Sequence, residues 1–192
     1  MNINRTPMRI ISLLNALLIA LCLAGCVYIF IVHPAPYYII SAAAELLALV
    51  FSVLYYLRGF RKDANRYYRL FMLFYAFTYL AEMLAAVLTY SDLGVTTPSA
   101  TLVFSLLLYG NTLILAVGND LGKTAAYTLC GVNVLFYLLP VLGALIPGIL
   151  TFDSPQLRAS SMFLYCTWLV LALNALLMTV AKYADKSARG AQ

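Results

Sequence analysis

Histidine is almost missing from this chain: His33 is the only one, and it lies beside Pro34 at the edge of an apolar run. A histidine-dependent dyad or a histidine-built metal cluster has little to work with, so His33 reads as a cap or loop residue and no metal site is expected. Charge is scarce too, at 10% of residues, against about a quarter in an ordinary soluble domain. The aspartates Asp63, Asp92, Asp120, Asp153 and Asp185 all fall outside the apolar runs, which argues against an intramembrane aspartyl protease. A hydrolase built on two glutamates stays open in principle, but no enzyme and no cofactor are expected. Gly118 to Gly122 is followed by Lys123 without the rest of a phosphate-binding loop. The basic residues have no soluble domain to display them, so nucleic acid is not an expected partner.

What the chain has in abundance is apolar surface. Its residues are 64% hydrophobic and its mean hydropathy is +0.92. The fold class expected is all-α: a polytopic membrane protein with six transmembrane helices, approximately 9–32, 37–57, 67–90, 100–117, 124–145 and 157–181. These spans leave no room for a soluble unit, so residues 1–192 are expected to form a single six-helix transmembrane domain. Arg5, Arg9, Arg58, Arg61, Lys62, Arg66, Arg69, Lys123, Lys182, Lys186 and Arg189 then fall on one side, and Arg158 alone on the other. Cytoplasmic loops retain Lys and Arg, so both termini are expected in the cytoplasm, with the protein multi-pass in a bacterial-type plasma (inner) membrane. The net charge of +5 would face anionic headgroups of the lipid bilayer.

Prolines punctuate the opposite side. Pro36 suits the first turn of the second span, and Thr97-Pro98 and Ser154-Pro155 read as N-cap plus first-turn proline for the fourth and sixth. Gly118 is expected to end the fourth span in a left-handed conformation and Asp120 to cap the fifth, which Pro140 should kink and make a moving element. The fifteen tyrosines, among them the pairs 37/38, 55/56 and 67/68, read as an aromatic belt at the interfaces. Cys22, Cys26, Cys130 and Cys166 read as small buried hydrophobes. Leu23-Ala24-Gly25-Cys26 resembles a lipoprotein processing site, but the apolar run continues through Val27 to Val32 and favours an uncut helix.

Glu45 and Glu82 are the acids inside the spans. Glu45 lies eight residues from Tyr37 at the start of the second span, and Glu82 eight from Tyr90 at the end of the third. Both should therefore sit about 12 Å below the same surface on an antiparallel hairpin. Glu45 shares a helical face with Ser41, Ala42, Ala48, Leu49 and Ser52, and Glu82 with Thr78, Ala85, Ala86 and Thr89, which suggests a helix interface or wet cavity and not lipid. A charge at that depth costs about 2.5–3.5 kcal/mol, so the pair must be neutralised or solvated. Either the two acids bind a proton, a cation or a small cationic solute, or they serve as protonated interhelical glue.

Asn111 and Asn133 are weaker ligand candidates. Asn15 and Asn174, in the matching strings Leu-Asn-Ala-Leu-Leu, could pair as amides if the first and sixth helices touch. Ser12, Ala16, Ala20 and Ala24 form a small-residue stripe suited to an internal helix contact or to docking another membrane subunit. In length, six helices and an alanine stripe in the first, the chain resembles the substrate-binding membrane subunits of energy-coupling-factor vitamin transporters. It lacks their long first outer loop, and membership is not inferred. The functional expectation is a small transporter or membrane solute-binding subunit. The alternative is an accessory or sensor subunit, holding a membrane protein partner or a second copy through its helices and basic inner loop.

Overall fold

The computed structural model describes residues 5–32, 34–57, 64–92, 94, 96, 99–118, 121–146 and 155–190, excluding the side chains of 5–9, 101, 155–157, 160 and 185–190. The described residues form α1 (Arg5–Val32), α2 (Pro36–Leu57), α3 (Ala64–Asp92), α4 (Ser99–Val117), α5 (Lys123–Leu145) and α6 (Pro155–Gly190). Hydrocarbon offers the backbone no partner, so each segment satisfies its own N–H and C=O groups as a helix. Five helices are long and apolar enough to cross a membrane, and α4 contributes the shorter apolar stretch Leu102–Val117. At 19 residues α4 still rises about 28 Å, close to the hydrocarbon thickness of about 30 Å. This is an all-helical, multi-pass membrane protein.

The helices pack in chain order around a ring, α1 against α2 through to α6 against α1, and α3 touches α6 across the middle. Tyr68, Phe71, Met72, Tyr75, Ala76 and Tyr79 of α3 meet a core that Leu171, Ala172, Ala175, Met178 and Ala181 of α6 also build. Alanines on α6 let the backbones approach, and dispersion at that distance holds helices together where lipid removes the hydrophobic drive. The tightest approach is at Gly25 of α1, where an added Cβ would collide with the Thr167 side chain of α6.

Helix ends follow the expected punctuation in part. Pro36 opens α2 and Pro155 opens α6. Gly94, with φ of 67°, donates to Ser91 O at 2.9 Å just beyond α3, the left-handed stop that suits glycine. Gly118 does not take that conformation. It remains in helical register, donating to Ile114 O at 2.8 Å, and a Cβ there would press on that carbonyl and on Leu121. Gly122 is the N-cap of α5, without a side-chain cap bond. Arg158 Nη2 donates at 2.8 Å to Ala144 O in the last turn of α5, placing a cation where the helix dipole is negative. Pro140 lies inside α5, freeing the Phe136 carbonyl from its usual helical donor. His33, Thr97, Pro98, Asp120, Ser154 and the basic residues Arg58, Arg61 and Lys62 lie outside the described residues.

Azimuth decides between the two readings of the small-residue stripe and corrects part of the aromatic belt. Ser12, Ala16, Ala20 and Ala24 are all exposed, so the stripe is not an internal contact. The buried face of α1 is instead Asn15, Cys22, Gly25, Cys26 and Ile29. Likewise Tyr55 and Tyr68 are not belt residues. They are 4% and 0% exposed, and they turn into the bundle beside Tyr75, Tyr79 and Tyr137.

Candidate functional site

Glu45 is 1% exposed. Its whole expected face is buried with it, from Ser41 and Ala42 to Ala48, Leu49 and Ser52. Two helices supply donors to its carboxyl: Cys26 Sγ of α1 donates to Oε2 at 2.8 Å, and Trp168 Nε1 of α6 donates to Oε1 at 2.9 Å. Glu45 thus joins three helices through both oxygens. Cys26 sits inside an unbroken α1 and spends its thiol on this bond.

Glu82 differs. Its residue surface is only partly buried, yet its Oε1 is fully enclosed and has no hydrogen-bond partner. The Tyr137 hydroxyl of α5 is the group that meets its carboxyl, and Glu45 lies within electrostatic range. Trp168 packs on Tyr137 with ring centroids 5.5 Å apart, so a single indole touches Glu45 with its N–H and the Glu82 partner with its ring. Tyr137 in turn lies parallel to Tyr79, 6.0 Å between centroids, and the Tyr79 hydroxyl donates to that of Tyr75. Among the described residues no lysine or arginine meets either carboxyl.

The remaining buried polar groups are largely self-sufficient. Thr78, Thr112, Thr167 and Thr179 each return their hydroxyl to a carbonyl of the preceding turn, the low-cost arrangement for a threonine in an apolar helix. Asn111 Nδ2 donates to Asn133 Oδ1 at 3.1 Å, clasping α4 to α5. That pair is therefore a fastening, and neither amide touches the acids. Asn111→Leu should cost about 0.6 kcal/mol, and at most about 1.7, as for other membrane interhelical bonds; thermal unfolding in mild detergent would register it. Asn174 and Asn15 are both buried, but the amide pair does not form: Asn174 Nδ2 donates to Ser52 Oγ at 2.8 Å, and the Oδ1 atoms of Asn15 and Asn174 have no partner.

A second polar cluster lies at the end of the bundle carrying Arg66, Arg69, Lys123 and Lys182, here the basic end. The Tyr68 hydroxyl and Thr179 Oγ1 are 2.9 Å apart, and Cys130 Sγ is 3.3 Å from the same Thr179 oxygen. Tyr55 donates to Met178 O at 3.3 Å and Tyr183 to Leu121 O at 2.8 Å. Lys182 Nζ lies 4.2 Å from the Tyr68 ring centroid, a cation–π contact. The sequence reading passed over Trp168, Tyr137, Tyr79 and the donor role of Cys26. A signal for part of this existed: Tyr68, Tyr75, Tyr79 and Glu82 repeat the helical spacing of Asn15, Cys22, Cys26 and Ile29, one face in each case.

Comparison with protein-family models, curated proteins and solved structures gave no match.

Proposed function

We propose that the protein is a small membrane transporter or solute-binding subunit whose Glu45–Glu82 centre binds a proton, a cation or the cationic group of a small solute. The observation that carries this reading is the unequal treatment of two acids that have no counter-ion among the described residues. Glu45 has a donor on each oxygen, whereas Glu82 keeps an enclosed oxygen unpaired. A buried acceptor left open costs about 1–3 kcal/mol. Enclosed Oδ1 atoms of Asn15 and Asn174 are unpartnered too, but Glu82 is the acid among these groups, and the one that can exchange a proton or take a cation. The distribution of Lys and Arg supports cytoplasmic termini in a bacterial-type plasma membrane.

The test is ligand-dependent stability. Purified protein is heated in mild detergent with monovalent cations, divalent cations or primary amines. A class that stabilises the wild type should lose its effect in Glu82→Gln, and lose most of it in Glu45→Gln, while both variants insert and purify normally. An identical response in wild type and both variants would remove the acids from the site.

One observation favours a second reading. Ser12, Ala16, Ala20 and Ala24 all face away from the bundle, as a docking surface for another membrane subunit requires. Under that reading Ala20→Leu should release a co-purifying partner, seen by native mass spectrometry from membranes; a lone monomer in the wild type would count against it.

A further inference from the structure

The polar groups of the bundle interior are not scattered. On α3, Tyr68, Tyr75, Tyr79 and Glu82 occupy one face, and the three tyrosines are 0–1% exposed. Long side chains on a helix lean toward its N-terminus, so on α3 each tyrosine hydroxyl is carried toward the basic end. The contacts run in two stretches, from Lys182 over Tyr68 through Thr179 to Cys130, and from Tyr75 through Tyr79 and Tyr137 to Glu82. Cys130 and Tyr75 lie within electrostatic range of one another without a direct hydrogen bond. Toward the other end, the face of α3 beyond Glu82 presents Ala85 and Ala86 before Thr89 donates to the Tyr37 hydroxyl at 3.5 Å.

We infer that Glu82 exchanges its proton with the basic end of the bundle through this column of hydroxyls and a thiol, and not with the opposite end. The inference rests on the proposed acid centre and adds the direction of access. The chemistry is proton relay: each Tyr or Thr oxygen and the Cys130 sulfur accepts a proton on one side while releasing one on the other, so only O–H and S–H bonds are made and broken, and a water molecule carries the proton across the step between Cys130 and Tyr75. The titratable groups facing the column are Glu45 and Tyr55 of α2, Cys26 of α1, Cys130 and Tyr137 of α5, and Lys182 and Tyr183 of α6. Four fully buried tyrosines are an expensive way to fill a membrane core that Phe could fill, because each hydroxyl must find a partner. A relay accounts for that expense.

The test follows deuteration of the protonated Glu82 carboxyl by infrared spectroscopy after the protein, in lipid nanodiscs, is moved into D2O. The Glu82 band is identified by its loss in Glu82→Gln. Removing one hydroxyl should raise the barrier by about the worth of one hydrogen bond, so Tyr79→Phe should slow exchange about tenfold, and Tyr75→Phe similarly. Tyr37→Phe, at the opposite end, should leave the rate unchanged. Wild-type exchange in both Tyr79→Phe and Tyr75→Phe, or slowing in Tyr37→Phe, would overturn the column. So would a wild-type spectrum with no band that Glu82→Gln removes. The cation and amine assay decides the acid centre separately from any of these results.

Discussion

Glu45→Leu will destabilise the bundle more than Glu82→Leu. In the first variant the Cys26 thiol and the Trp168 indole N–H lose their common acceptor inside an apolar interior. A stranded buried donor costs about 1–3 kcal/mol, and Trp168 would also lose the anchor that sets its ring against Tyr137. In the second variant the substitution removes an enclosed oxygen that had no partner. Glu82→Leu takes one partner from the Tyr137 hydroxyl but leaves it Tyr79, so a single shared contact is lost where Glu45→Leu strands two donors. Thermal or denaturant unfolding of the purified variants compares the two directly. Equal losses would mean that Glu82 is a structural group like Glu45, and the functional distinction between them would go.

Gly25→Ala will separate α1 from α6. The new Cβ would lie 2.7 Å from Cγ2 and 2.8 Å from Cβ of Thr167, and closer still to its Oγ1. The Thr167 hydroxyl is already committed to Phe163 O at 2.9 Å, so it cannot rotate away without losing that bond. Overpacking of this kind costs about 1–3 kcal/mol. The shift would also draw Cys26, the next residue, away from Glu45. Thr167→Ala removes two of the three obstructing atoms and leaves the third, so the double variant should recover part of the loss. A cycle of the four proteins, read as unfolding free energies, should give a coupling term of favourable sign. Strictly additive effects would show that the two helices are not in contact at this level.

The fold was legible because hydropathy and proline spacing act along the chain, and both determine where helices start and stop. Counting residues from helix ends suggested that Glu45 and Glu82 are neighbours, and they do lie within electrostatic range of one another; the small residues around Glu45 correctly marked its face as buried. Rotation about each axis was harder to read. On α1 the exposed stripe of Ser12, Ala16, Ala20 and Ala24 and the buried series through Asn15, Cys22, Cys26 and Ile29 are both rows of small or polar residues at helical spacing, and only packing chooses between them. Tyr55 and Tyr68 are near helix ends, which is where belt tyrosines sit, but their azimuth turns them inward. The partners of the acids were least legible. Cys26, Tyr137 and Trp168 come from α1, α5 and α6, and nothing in a single sequence states which distant helices close a ring around α2 and α3.

The account turns on Glu82 being a carboxyl that is available while Glu45 is occupied, and hydrophobic carbodiimide labelling measures that directly. The O–H of a protonated carboxyl adds across a C=N bond of the carbodiimide, its oxygen bonding to the central carbon and its proton passing to nitrogen, and peptide mass spectrometry locates the product. The account predicts modification at Glu82, little or none at Glu45, and suppression by whichever cation or amine stabilises the wild type. Modification confined to Glu45, or of neither acid, would contradict it.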